Sequence, residues 1–374
     1  MKKTISLLLV LVLLFSTGAA RVGAEQPHID DPLSEPIRVE YAMPQTIISG
    51  LLSGDVYLDE DAAAAYVRQQ LQARSETIVV KVQSEGDAES VFYSVFYKAV
   101  AHTGEPTGGD YIYRHMQGYK GSVSYYPGKY TLTYHSIAYH TTSQQEQIMD
   151  AQVAQLLAEL DLWNKSDYEK VLGIYDYITH NVTYDYENLE DESYNLKYSA
   201  YAALVNKTAV CQGYANLFYR LALELGVDSR IITGIGNGGG HAWNIVKLDG
   251  RYYNLDATWD AAWVEAGLSY EYFLRCDETF DDHFRDEEFD TYEFYGEYPM
   301  GAEDYTPPAV RCGDVNGDGH IDGMDATLLL QYAAGWRVEV NKTAADANGD
   351  GHIDGMDATL LLQYAAGWNV NLAA

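Results

Sequence analysis

Residues Thr208 to Asp256 read TAVCQGYANLFYRLALELGVDSRIITGIGNGGGHAWNIVKLDGRYYNLD. After Cys211, the apolar residues Leu217, Phe218, Leu221, Ala222 and Leu225 recur at helical spacing, and Gly226 stops the run. Cys211 is therefore expected near the N-terminal end of a buried helix. There the helix dipole and free N–H groups favour a thiolate, and the Cys211 amide can face an oxyanion. His241–Leu248 (HAWNIVKL) and Arg251–Asp256 (RYYNLD) flank Asp249-Gly250, the preferred pair for a type I′ turn. A two-residue turn pairs Leu248 with Arg251, so partner numbers sum to 499, Trp243 faces Asp256 and His241 faces Thr258. His241 and Asp256 become diagonal neighbours on one face, roughly 7–8 Å apart at the backbone, which an imidazole–carboxylate hydrogen bond spans.

Cysteine attacks as a thiolate and needs a partner base and oxyanion donors. In this register Asp256 orients His241, and His241 takes and returns the thiol proton. Each residue also has a plainer reading: Cys211 as a small core residue, His241 as packing beside Trp243, Asp256 as a turn before Ala-Thr-Trp. The register joins His241 to Asp256, which the plainer readings do not.

Outward from this stretch, the chain has 374 residues, 47% of them apolar, enough for two or three domains with ordinary cores. Met1-Lys2-Lys3, an apolar run from Ile5 to Phe15 broken only by Ser6, and the small residues after it predict a secretory signal peptide, with cleavage after Ala24 favoured over Ala20. No second stretch approaches about 18 apolar residues, so the mature protein is expected to be exported without a membrane span. The net charge of −31 argues against nucleic acid and anionic lipid as partners. The three cysteines, Cys211, Cys276 and Cys312, are too few for a disulfide scaffold, and the odd number leaves at least one thiol free. Pairing of Cys276 with Cys312 stays open.

Residues 25 to about 45, with Pro27, Pro32, Pro36 and Pro44, read as an extended lead-in. Asp59–Arg74 reads as a helix, Thr77–Val82 as a strand and Ala88–Ala101 as a helix; Tyr111–His140 reads as tyrosine-rich strands around Pro127-Gly128. Together they predict a small α/β domain without a chemical motif, its tyrosines half-buried in strands. Gln147–Leu162 is helical in pattern, Ser166-Asp167-Tyr168-Glu169 is a capping box opening a helix through Tyr177, and Tyr194–Leu204 is a further short helix. Trp259–Tyr298 is acidic and aromatic, and Tyr305-Thr306-Pro307-Pro308 marks a linker.

Beyond the linker, NGDGHIDGMDATLLLQYAAGW at Asn316–Trp336 recurs unchanged at Asn348–Trp368, 32 residues on. Each copy places oxygen side chains at loop positions 1, 3, 5, 9 and 12 with glycine at 6, the spacing of an EF-hand calcium loop. The ligands would be Asp314, Asn316, Asp318, the His320 carbonyl, Asp322 and Asp325, then Asp346, Asn348, Asp350, the His352 carbonyl, Asp354 and Asp357. Asp replaces the usual Glu at position 12, and no amphipathic helix precedes either loop. One follows each, Ala326–Ala334 and Ala358–Ala366, ended by Gly335 and Gly367.

The repeat, from Cys312 to Ala374, resembles a type I dockerin, the module that plugs enzymes into cohesins on a cellulosomal scaffoldin. The resemblance implies calcium-dependent folding around two Ca2+ ions and a cohesin-facing surface at Gly323, Met324, Leu330, Gln331, Gly355, Met356, Leu362 and Gln363, with either copy able to face the cohesin. The Gly-Met pair departs from the Ser-Thr of the best-known dockerins, which leaves the cohesin type open. Residues of about 150 to 300 resemble the transglutaminase-like superfamily, a papain-like fold, in A-V-C-Q-G-Y-A, G-H-A-W-N-x-V, Y-x-x-D-A-T-W-D and the segment D-Y-x-x-x-x-G-I-Y-D-Y-I-T-H-N-V-T-Y-D from Asp167. That resemblance implies a Cys211, His241, Asp256 triad needing no cofactor for catalysis, with Gln212 and Tyr201 as alternative second oxyanion donors.

The expected architecture is α+β: signal peptide 1–24, N-terminal α/β accessory domain 25–140, transglutaminase-like catalytic domain 141–300, linker 301–311 and an all-α, calcium-binding dockerin 312–374. The leading functional reading is a secreted, cellulosome-associated thiol enzyme acting on peptide or protein amide bonds by transfer or hydrolysis. A second reading keeps the same fold as a catalytically inactive binding or scaffold module in a polysaccharide-degrading complex. A glycosidase would need two carboxylates across a sugar cleft; Asp281-Asp282 and Asp286-Glu287-Glu288 are expected instead to be solvated surface.

Overall fold

The computed structural model describes residues 38–46, 57–307, 311–317, 319–338 and 340–373. The signal peptide, most of the lead-in and the Asp318 ligand position lie outside these residues. The N-terminal part runs β1 (Arg38–Thr46), α1 (Glu60–Gln72), β2 (Thr77–Gln83), α2 (Ala88–Val100), α3 (Gly109–His115), β3 (Met116–Tyr126) and β4 (Lys129–Tyr139). Its sheet has the order β1-β3-β4-β2, with β1 parallel to β3 and the other pairs antiparallel. Part of the expected lead-in is thus an edge strand. Pro44 lies where the β1 register shifts between Ala42 and Gln45, a place where a missing N–H costs no ladder bond. Asp59 and Asp87 cap α1 and α2 through their carboxylates, and the two helices pack together on the sheet. Tyr119, Tyr130 and Tyr134 are buried rather than half-buried, Tyr134 stacking on Phe92 with centroids 4.6 Å apart. Tyr111–His115 is helical, not the start of a strand.

The second part runs α4 (Ser143–Leu160), α5 (Asp167–Asn181), β5 (Thr183–Tyr184), β6 (Thr208–Ala209), α6 (Cys211–Glu224), β7 (Ser229–Gly236), β8 (Gly239–Leu248), β9 (Arg251–Leu255), α7 (Ala257–Glu265), β10 (His283–Arg285) and α8 (Tyr292–Glu297). Thr142 with Gln145 and Ser166 with Glu169 form reciprocal capping boxes on α4 and α5. The helix expected at Tyr194–Leu204 is instead a 3₁₀ turn, Asn195–Tyr198, and a π turn, Ala202–Asn206. Between them the Ser199 hydroxyl donates to the Leu196 carbonyl and accepts from the Ala202 amide, which interrupts the helical ladder.

The antiparallel sheet β10-β7-β8-β9 is covered on both faces. Ala242, Asn244 and Val246 of β8 face α6, whose residues through Leu223 are all buried. Trp243 and Ile245 face an aromatic layer with Tyr252, Trp259, Tyr272, Phe280 and Phe294. Tyr111 of α3 belongs to the core around α6 while its neighbour Ile112 belongs to the N-terminal core, so α3 joins the two.

The C-terminal part consists of α9 (Gly323–Ala333), α10 (Lys342–Ala345) and α11 (Gly355–Ala365). α9 and α11 pack on one another around Val315, Ala326, Leu329, Ala345, Ala347, Ala358 and Leu361. Contrary to expectation, one helical turn, α10, does precede the second loop, because Asn341 caps it through the Thr343 and Ala344 amides. Among the described residues no helix is long and apolar enough to cross a membrane.

Candidate active site and calcium loops

Cys211 is the first residue of α6 and fully buried. The N-cap before it is Val210, which has no side-chain acceptor. Among the described residues every other helix of nine or more residues is capped by Asp, Ser or Thr. The start of α6 therefore lacks the side-chain oxygen that normally occupies the first N–H groups, and a helix N-terminus built this way is suited to a ligand anion. Gly213 allows the approach: a Cβ there would lie 2.6 Å from the Ala209 Cβ and 2.9 Å from the Lys197 carbonyl.

The Asp249-Gly250 turn has positive φ at both residues, 50° and 80°. The β8–β9 ladder keeps the expected register from Leu248↔Arg251 to Asn244↔Leu255. There it ends. Asp256 leaves the ladder to cap α7, its Oδ1 accepting from the Thr258 and Trp259 amides at 2.8 and 3.2 Å. Thr258 is thus helical and does not face His241 across a strand pair. The predicted contact forms nonetheless, with His241 Nε2 lying 2.7 Å from Asp256 Oδ2 and both side chains almost fully buried. Burial alone would push the Asp256 carboxyl up; the charge and hydrogen bond of His241, then those of His283, outweigh it and hold the group well below the usual carboxylate range. The His241 ring stacks on Trp259, centroids 4.9 Å apart.

Asn244 Nδ2 donates to the Ala215 carbonyl of α6 at 3.1 Å, and α6 packs against β8. One turn back from Ala215 is Cys211, and three residues back from Asn244 is His241. Cys211 and His241 thus each lie a few residues from a hydrogen bond that joins the helix to the strand.

Gln212 is buried and its Nε2 donates to the Arg114 carbonyl of α3 at 2.7 Å. Tyr201 is half-buried at the N-cap of the π turn, against the same core. The residues that the sequence reading missed are His283 and Asp282. His283 Nε2 lies 3.2 Å from Asp256 Oδ2, and His283 Nδ1 lies 2.7 Å from Asp282 Oδ1. Asp282 is not merely solvated surface: Tyr272 also donates to it, at 2.8 Å. Its one sequence signal was a histidine inside an otherwise acidic and aromatic stretch. Asp281, Asp286, Glu287 and Glu288 are exposed, as expected. The ligand atoms of His241, Asp256 and His283 all lie within 4.8 Å of one another, a spacing that also suits a divalent cation; the two hydrogen bonds to one carboxylate oxygen account for it directly. His283 also lines an open cleft of about 210 Å³ with Trp243, Asn254, Phe280, Arg285 and Tyr295.

Residues 154–257 match the family model of the Transglutaminase-like superfamily, and residues 312–364 match that of the Dockerin type I domain. The chain carries a transglutaminase-like core followed by a type I dockerin. The kyphoscoliosis peptidase of Mus musculus is 31% identical to it over 132 residues, covering 32% of this chain and 20% of the relative. The kyphoscoliosis peptidase of Homo sapiens is 31% identical over 138 residues, covering 34% and 20%. The chain thus spans about a fifth of the length of these curated relatives, 20% in each case. A solved structure described as a TGase is 16% identical, covers 51% of this chain and 57% of its own, and superposes with a TM-score of 0.29.

In the dockerin both loops are wound on their last aspartate. Asp325 Oδ1 accepts from the Val315 and Asn316 amides and its Oδ2 from the Asp322 amide; Asp357 accepts likewise from Asn348 and Asp354. Asp314 and Asp346 accept from the Gly319 and Gly351 amides, both at 2.9 Å. The residues fit calcium: the donor set is all oxygen, and Asp314 Oδ1 is buried with no hydrogen-bond partner, an acceptor that a cation would satisfy. Of the expected cohesin face, Met324 and Met356 are 68% and 67% exposed, and Leu330 and Leu362 are 46% and 47% exposed. Gly323 and Gly355 open their helices in the open, and Gln331 and Gln363 are half-buried. Cys276 and Cys312 do not pair: none of the three cysteines is in a disulfide, Cys276 being buried beside Thr279 and Cys312 facing the Asp346 carbonyl inside the dockerin.

Proposed function

We propose that this chain is a secreted, cellulosome-associated thiol enzyme whose transglutaminase-like core, residues 141–300, transfers or hydrolyses acyl groups at peptide or protein amide bonds. The observation that carries the reading is the buried His241–Asp256 pair, its histidine on a strand packed against the helix whose uncapped start is Cys211. Asp256 holds His241 at Nε2, so the proton is exchanged at Nδ1. The Cys211 thiolate adds to the amide carbon, and the Cys211 backbone N–H with a second donor, Gln212 or Tyr201, holds the oxyanion. The C–N bond breaks as His241 protonates the departing amine, leaving a thioester. A lysine amine or water then attacks, gives its proton to His241, and Cys211 leaves as thiolate.

The dockerin, with residues 25–140 and 301–311 as accessory domain and linker elsewhere in the chain, serves for attachment. It holds two Ca2+ ions through the Asp314 and Asp346 loops and binds a scaffoldin cohesin with Met324, Leu330 and Gln331 or their counterparts Met356, Leu362 and Gln363. Two exposed, identical faces support that either copy binds.

Iodoacetamide at about pH 6 tests the chemistry, because an activated thiolate alkylates quickly there and an ordinary thiol does not. Fast alkylation of Cys211, lost in His241→Ala, is the expected result. Slow alkylation unchanged by His241→Ala would leave an inactive binding module. Incubating a protein mixture with a labelled amine, with and without Cys211→Ala, then separates transfer from hydrolysis.

A further inference from the structure

Two histidines share one oxygen of Asp256: His241 Nε2 at 2.7 Å and His283 Nε2 at 3.2 Å. The side chain of His283 is fully buried, stacked on Phe280 with centroids 3.8 Å apart and met by Trp259 at 4.3 Å. Its other nitrogen, Nδ1, lies 2.7 Å from Asp282 Oδ1. An ionised carboxylate only accepts hydrogen bonds, so a ring held between two carboxylates satisfies both only when both nitrogens carry protons. The groups facing it agree with this. Asp256 and Asp282 are the two acceptors; Tyr272 donates its phenol to the far oxygen of Asp282; the His241 ring is 5.4 Å away, beyond the carboxylate; Asp260 lies behind Asp256. A lone histidine beside Asp256 would need no second carboxylate, and Asp282 supplies one.

We propose that His283 is a positioning residue of the transglutaminase-like site, a cation clamped between Asp282 and Asp256 that locks the carboxylate facing His241 and offsets its charge. The proposal deepens the acyl-enzyme reading and rests on it. Asp256 is then held by four donors: the Thr258 and Trp259 amides on one oxygen, His241 and His283 on the other. With rotation blocked on every side, the His241 ring keeps one orientation as it gains and loses its proton. Offsetting part of the Asp256 charge also keeps His241 from holding that proton too tightly to return it to a leaving amine.

The test is nuclear magnetic resonance of the full-length, calcium-loaded protein with nitrogen-labelled histidine rings. In the unmodified chain both His283 nitrogens are expected to carry protons at neutral pH; a neutral ring there would overturn the proposal. In His283→Gln, which retains a donor but no charge, His241 should keep its proton to a pH roughly one unit higher, about tenfold in the equilibrium. An unchanged His241 midpoint in a folded His283→Gln chain overturns it equally, since a merely structural role predicts no shift. Neither readout uses turnover. Failure of Cys211 to alkylate would sink the acyl-enzyme reading while leaving the His283 ring state measured.

Discussion

Asp110 on α3 and Arg230 on β7 form a two-pronged ion pair across the boundary between the N-terminal sheet and the transglutaminase-like core. Arg230 Nε lies 2.7 Å from Oδ2 and Nη2 3.0 Å from Oδ1, and the Ile231 amide donates to the same carboxylate at 2.9 Å. Burial opposes charge on Asp110, and the Arg230 guanidinium outweighs it, so the carboxyl stays below the usual range. Arg114 of the same helix offers its carbonyl to Gln212, next to Cys211, and its guanidinium to Thr233 and Glu288. The N-terminal domain is thereby tied to the helix that carries the cysteine. Asp110→Ala leaves the largely buried Arg230 without its carboxylate, at a cost of about 3–5 kcal/mol. Chemical denaturation of the variant should show that loss, and a change under about 1 kcal/mol would show the pair to be a surface-type bridge.

Asp256→Asn separates capping from chemistry. Asparagine is as good an N-cap as aspartate, so the Thr258 and Trp259 amides keep their acceptor. The charge that orients His241 is lost. Turnover, or alkylation of Cys211 near neutral pH, should fall by roughly 10³- to 10⁴-fold, in line with loss of a triad aspartate. Full activity in a folded Asp256→Asn chain would remove Asp256 from the mechanism.

Acid should destabilise the protein in two windows. Burial pushes His115 down from 6.5 to about 4, and its ring is satisfied as a neutral one, Nδ1 at the Tyr111 carbonyl and Nε2 accepting from the Ala200 amide. The unfolded chain then binds the extra proton first, so this contribution is complete above pH 6.5 and is lost as pH falls toward about 4. Asp110 and Asp256 have depressed carboxyls, so theirs is present above the unfolded carboxylate value and disappears as pH falls through the folded one. Burial holds His140 down as well, to about 3, so both histidines contribute to the first window. Melting curves across this range should decline in both windows, and His115→Gln should shrink only the first.

Calcium should bind at both loops, because the oxygen-bearing residues repeat at the same positions. Asp325→Ala and Asp357→Ala should each remove one of two ions in a calorimetric titration. Chelation should unfold the dockerin, seen as lost helical signal, and leave alkylation of Cys211 unchanged. A site that vanishes from both loops after one substitution would show that the shared core makes them a single unit.

Intact mass under denaturing, non-reducing conditions should show three alkylated cysteines and no change on reduction, since no cysteine is in a disulfide. A two-dalton gain on reduction would contradict it.

Much of the candidate site was legible because it is local. The Asp249-Gly250 turn dictates the β8–β9 register, the apolar spacing after Cys211 dictates a buried helix, and the repeated Asp-Asn-Asp spacing dictates two loops of EF-hand type. The second turn, Asn237-Gly238, with φ of 52° and 87°, is an equally local signal. The end of the β8–β9 ladder was less legible: Asp256 could continue the strand or cap a helix, and the choice rests on Trp259 and Tyr272 packing over the site.

The sequence by itself determined the turns, the helix starts, the repeated loops and the pairing of His241 with Asp256, since each depends on residues within a few positions of one another or across one tight turn. Only the tertiary structure decided that Asp256 serves a helix and two histidines at once, that His283 arrives from β10 with Asp282 behind it, and that α3 grips Gln212. The His283–Asp256 and Gln212–Arg114 contacts join residues 27 and 98 positions apart. No local hydrogen-bond pattern encodes them; they follow from which faces of α6 and of the β10-β7-β8-β9 sheet must be buried together.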